Sequence, residues 1–131
     1  MRAAALLLLL PTAAAAADCA PDLAGARRVA GEGYTLAIRP SPAPIPLARH
    51  FALDVAVCPT AGKAAPTLAR VDARMPEHGH GMNYRAALTP RGEGRWRADG
   101  LMFHMPGRWQ LLFDLRAGDR TGRLAVEEIV E

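Results

Sequence analysis

Histidine and methionine crowd into one part of this 131-residue chain. Apart from Met1, the methionines are Met75, Met82, Met102 and Met105, and three of the four histidines, His78, His80 and His104, lie between them. The densest stretch reads MPEHGHGMNY, residues 75–84, and a second, HMPG, follows at 104–107. Imidazole nitrogen and thioether sulfur suit copper, and the thioether in particular suits the soft Cu(I) ion. Zinc would want more histidine, thiolate or carboxylate, and the first stretch adds only Glu77. Nickel or Cu(II) on the histidines alone stays open. In an extended segment side chains two apart point the same way, so His78, His80 and Met82 are expected on one side, with Gly79 and Gly81 adding no bulk. Ligation by neutral imidazole predicts binding that weakens as the pH falls, because imidazolium cannot ligate.

The same residues have a plainer reading. Met75 and Met82 fall on inward faces of their expected strands, where methionine ordinarily fills gaps. Met102 sits in an apolar run that reads as core, and a histidine in a turn is more often a surface residue than a ligand. Geometry separates the two readings. Donors converging within about 5 Å favour a site, whereas rings splayed over buried sulfurs favour a structural or partner-docking domain.

Other chemistry finds little support. Ser41, the only serine, lies in a proline-rich stretch, and Lys63 is the only lysine. With both cysteines read as paired, the usual nucleophiles are missing and no enzyme is expected. The net charge is +3, and the arginines form no stripe interleaved with aromatics, so no nucleic-acid partner is expected either.

The donors must be positioned by strands. Phe51, Leu53, Val55 and Val57 alternate with His50, Ala52, Asp54 and Ala56. Trp109, Leu111, Phe113 and Leu115 form a second inward row, Val71, Ala73 and Met75 a third, and Tyr84, Ala86 and Leu88 a fourth. Expected strands run over residues 34–39, 49–58, 68–75, 82–89, 95–103, 108–116 and 123–130, separated by turn chemistry such as PTAGKAAP, TPRGEG and AGDRTG. Residues 40–46 read as an exposed crossing between sheets. About seven antiparallel strands in roughly 100 residues predict an all-β, immunoglobulin-like β-sandwich. If strands alternate in direction, the loops after Met75 and around His104 share one end with residues 40–46, while Cys19 and Cys58 share the other.

Ahead of this single domain, residues 18–131, the stretch 1–17 reads as a cleaved secretory signal. Arg2 precedes an apolar run too short to span a membrane, and Ala15-x-Ala17 offers the small side chains of a cleavage site. The mature chain would then be periplasmic or secreted, with no membrane span, and Cys19 and Cys58 are expected to form a disulfide. A lipid anchor on Cys19 is disfavoured, because the charged Asp18 precedes it and Cys58 would be left unpaired.

The order MPEHGHGM, then GLMFHMPGRWQLLFDL, resembles the YtkA-like domain family, related to FixH-type exported domains. The resemblance covers roughly residues 50–130 and is carried by Met75-Pro76, His78-Gly79-His80-Gly81-Met82 and Met105-Pro106-Gly107-x-Trp109. It implies a small exported β-sandwich linked to copper handling or to terminal-oxidase assembly, with a copper-delivery or respiratory-oxidase partner. FixH-type proteins carry a membrane anchor, whereas only a cleavable signal is read here, which weakens that last role.

Overall fold

Alternating branched and aromatic side chains become strand where turn residues bound them, because a pleated chain turns successive side chains to opposite faces. The computed structural model describes residues 18–131, so the signal reading at 1–17 lies outside the described residues. Nine strands follow: β1 (Arg27–Ala30), β2 (Tyr34–Ser41), β3 (His50–Pro59), β4 (Thr67–Met75), β5 (His80–Gly81), β6 (Ala87–Pro90), β7 (Arg95–Met102), β8 (Gly107–Ala117) and β9 (Arg120–Val130). They form two antiparallel sheets, ordered β1-β2-β3-β7-β6 and β5-β4-β8-β9. Leaving β1 aside, these are the A-B-E-D and C′-C-F-G orders of an immunoglobulin-like sandwich. The expected fold class is therefore the one found. Among the described residues no helix is long and apolar enough to cross a membrane.

The inward rows of β3, β4 and β8 meet in a single core, with Leu53 and Val55 facing Trp109, Leu111 and Phe113. Each such side chain, once buried, contributes about 1.5–3 kcal/mol.

Four details differ from the sequence expectation. The short strand β1 was not expected. Of the strand expected at 82–89 only β6 forms, and residues 82–86 instead carry the chain from β5 in one sheet to β6 in the other. Tyr84, expected to face inward, is 44% exposed there. Residues 40–46 do not cross between sheets: Pro40 lies in β2, paired with Leu53, and the connection returns to the adjacent strand of the same sheet. Finally, Ala37 and Ala56 point away from the main core yet are buried, because residues 19–23 lie over them.

That covering segment is tied down three ways. Cys19 and Cys58 form the expected disulfide, with an S–S distance of 2.10 Å. The Arg28 guanidinium donates to the carbonyls of Cys19 and Ala20 at 2.8 and 2.9 Å, and Arg95 pairs with Asp22 at 2.7 Å. Nearby, Arg27 bridges the sheets at their β1–β9 side, donating to the Glu127 carbonyl at 3.1 Å and pairing with Glu128 at 2.5 Å.

The register fixes which loops share an end. Met75 pairs with His80 and Arg74 with Gln110, so the turn after β4 meets the start of β8. His50 pairs with Met102, which brings the start of β3 and the end of β7 to that same pole. The disulfide sits at the other pole, where Cys58 pairs with Thr35. The alternation read from the sequence holds because β5 and β6 together make one transit between the poles.

On the outer face of the larger sheet, Asp54 accepts from Arg39 at 2.8 Å and from Arg97 at 3.0 Å. Burial alone would raise the Asp54 carboxyl, but hydrogen bonds from the two guanidiniums outweigh it and leave the group below its usual value. A carboxyl lowered on folding stabilises the protein above its unfolded pKa, and that contribution is lost as the pH falls through the folded value. Stability is therefore expected to decline below about pH 4. Urea midpoints at about pH 7 and pH 3 should show a smaller difference in Asp54→Asn than in the unaltered protein; equal differences would remove Asp54 from the account.

Candidate metal centre

Four chain turns build the pole that carries the histidines, and the tightest is the one after β4. The amides of His78 and Gly79 both donate to the Met75 carbonyl, at 3.2 and 3.0 Å, and Gly79 takes a positive φ of 66°. A side chain at Gly79 would strain that left-handed conformation. The segment 76–79 is thus a turn and only His80–Gly81 is extended, so His78 and His80 do not share a strand face as expected. The turn nevertheless brings their rings into nearly parallel planes, 21° apart, with centres 6.1 Å apart.

His104 approaches from the neighbouring turn between β7 and β8, its ring centre 6.5 Å from that of His80. Trp109 positions this turn. Its indole Nε1 donates to the Met105 carbonyl at 3.0 Å, its ring stacks on Phe103 at 4.7 Å, and His104 meets it edge-on at 5.3 Å. The ring separations exceed the convergence expected of a preformed site. However, an ion about 2 Å from each of two imidazole nitrogens holds the ring centres roughly 6 Å apart. Imidazole nitrogens ligate in the plane of the ring, so the stacked His78 and His80 rings must turn toward one another before they can share an ion.

The sulfurs divide by depth. Met75 is 1% exposed, with its methyl against Gly107, where an added Cβ would come within 2.9 Å of it. It is core, its side chain packed away from solvent. Met82 and Met105 are half-buried and pack against the edge of the core at the same pole. Met102, read as core, faces outward between the buried Leu101 and Phe103 and is only half-buried. An open cleft of about 370 Å³ beside His80 is lined by Arg74, Met75, Pro76, Gly79 and Gly81.

Two polar features bear on what the pole can bind. The Nδ1 atom of His104 is buried without a hydrogen-bond partner. Leaving such an atom unsatisfied costs about 1–3 kcal/mol, and an ordered water or a bound ion would satisfy it. Glu77, the one carboxylate in the first stretch, is engaged elsewhere: Arg108 donates to it at 3.1 Å while also holding Glu127 at 3.0 Å. Among the described residues no three His, Cys, Asp or Glu side chains are grouped to hold an ion alone. An ion held here would therefore draw on thioether sulfur, or on movement of the exposed turn. The donor set of imidazole with thioether fits copper better than zinc.

Sequence reasoning missed His50, Tyr84 and the brace formed by Arg108. His50 begins β3 at this pole, and its ring meets that of Tyr84 at 4.9 Å, edge-on. The alternation that placed residues 40–46 here would have placed His50 here too. The Arg108 brace had no sequence signal, since Glu77 lies in the turn after β4 and Glu127 in β9, both far from Arg108 in sequence. No protein-family model, curated protein or solved structure matches this chain.

Proposed function

We propose that this protein is an exported copper-binding module that carries or buffers Cu(I), with His78, His80 and His104 as nitrogen donors and Met82 and Met105 as sulfur donors. The observation that carries this reading is the gathering of three imidazoles, one with a buried unpaired nitrogen, above half-buried methionines at one pole. Export accords with the disulfide, since such bonds persist in oxidising compartments such as the periplasm or outside the cell. A free thiolate there tends to be oxidised to a disulfide, whereas a thioether takes no part in disulfide exchange. Membership of the YtkA-like family, and a copper-delivery or respiratory-oxidase assembly partner, belong to the same proposal and rest on the motif resemblance alone.

The test is Cu(I) titration of the mature protein under reducing conditions against a chromogenic Cu(I) chelator. The variant His78→Ala/His80→Ala is expected to bind at least about tenfold more weakly, a loss of about 1.4 kcal/mol. An unaltered affinity and an unaltered number of bound ions in the variant, or no binding by the parent protein, would end the proposal. A second reading is favoured by the burial of Met75 and the exposure of His78 and His80. In it the methionines only pack, and the histidine turn docks a protein partner without metal. That reading predicts the same titration to be flat.

A further inference from the structure

Met102 and His50 pair directly across β7 and β3. Their neighbours Leu101 and Phe51, also paired, point into the core and are buried. Met102 and His50 must therefore both project from the outer face, where directly opposed residues hold their Cβ atoms about 5 Å apart. His50 is exposed, and Met102 stands apart from the core against which Met82 and Met105 pack. An outward methionine opposite an outward histidine has no packing role of that kind. One imidazole and one thioether are a sufficient donor pair for the soft, low-coordinate Cu(I) ion. Tyr84 lies edge-on to His50, at 4.9 Å, so one side of the pair is walled by an aromatic ring.

We infer that His50 and Met102 form a second Cu(I) station on the outer face of the larger sheet, walled by Tyr84 and distinct from the histidine cluster at the mouth of the sandwich. This inference rests on the copper reading above. The two stations are neighbours. Met102 and His104 lie two residues apart, about 7 Å along an extended chain, and His104 stands 6.5 Å from His80. Along the fold the candidate donors therefore follow in the order His50, Met102, His104, His80 and His78, from one exposed imidazole to another. Transfer along them is ligand exchange: a bond from the ion to one donor forms as a bond to the previous donor breaks, and copper stays Cu(I) throughout. No electron or proton has to be supplied from elsewhere. His50 is exposed, which suits the outer station to accept or surrender the ion.

The experiment is a Cu(I) count on the full mature chain, held reduced and titrated against a chromogenic chelator. It is paired with NMR of the methionine methyl groups during titration with Ag(I), a redox-inert stand-in. The unaltered protein is expected to bind two equivalents. His50→Ala and Met102→Leu should each bind one, and His78→Ala/His80→Ala should retain one. The Met102 methyl resonance should shift with Ag(I), and His50→Ala should abolish that shift. Circular dichroism confirms folding, and Met102→Leu keeps the side-chain volume. A single equivalent, lost in His78→Ala/His80→Ala but kept in His50→Ala with an unmoved Met102 methyl, would overturn the second station and leave the first standing. A single equivalent lost only in His50→Ala and Met102→Leu would keep the outer station and overturn the histidine cluster. No binding in any protein would overturn both.

Discussion

Replacing Trp109 with alanine is expected to cost about 3–5 kcal/mol of folding stability and to remove high-affinity Cu(I) binding with it. The indole is fully buried, stacked on Phe103 at 4.7 Å, and it joins the core to the turn that carries His104 and Met105. Truncation leaves a cavity between the two sheets and frees the Met105 carbonyl from its only indole donor. Since a loss of that size approaches the whole stability of a marginal small domain, Trp109→Phe separates the two effects. Phenylalanine preserves most of the stacking area but cannot donate a hydrogen bond. Its stability loss should stay near 1–2 kcal/mol, while Cu(I) affinity falls as the His104–Met105 turn loosens. Urea unfolding and Cu(I) titration on the same samples check both parts. An affinity unchanged in Trp109→Phe would mean that the turn holds its shape without the indole bond.

The second large effect belongs to the opposite pole. The disulfide closes a loop with a sequence separation of 39. Constraint of the unfolded chain by a loop of that size is worth about 4 kcal/mol in the chain-entropy account. Its loss also releases the segment that covers Ala37 and Ala56, now 0% and 1% exposed. Cys19→Ala/Cys58→Ala should accordingly melt on the order of 10–20 °C lower. Copper affinity at temperatures where the variant is folded should not change, because its donors are at the far end of the sandwich. A shift of only a degree or two would show that the Arg28 and Asp22 contacts hold the segment unaided. A coincident loss of copper affinity would mean that the two poles are mechanically coupled.

Much of this architecture was legible in the residues. The rows headed by Phe51 and by Trp109 lie in long strands buried on one face, so their period of two survives packing and reports the sheet directly. Counting strand directions then placed the two donor stretches together, which no local motif does. The segment 82–89 failed for a physical reason: its alternation is real, but the chain must leave one sheet and join the other. The switch occurs where Met82 donates to the Ala73 carbonyl at 3.3 Å and then turns away. The burial of Ala37 and Ala56 was illegible because alternation describes one strand, whereas their cover comes from residues 19–23. Met102 was misread because an apolar run does not say which way a side chain points. The register with His50 does. Of the candidate donors, the three histidines proved to be neighbours, while Met75 went to the core as the plainer reading had it.

Arg27 has a consequence beyond joining the two sheets. Strand β9 is the last strand of its sheet, eleven residues long, and its outer rim faces no further strand. Such a rim is a template on which another chain can add itself, molecule upon molecule. The Arg27 guanidinium occupies the Glu127 carbonyl on that rim and pairs with Glu128 beside it. An incoming strand would have to evict a cation paired with Glu128 before it gained a backbone bond at Glu127. A single arginine on a four-residue strand thus closes one position of a rim that would otherwise be open to another chain.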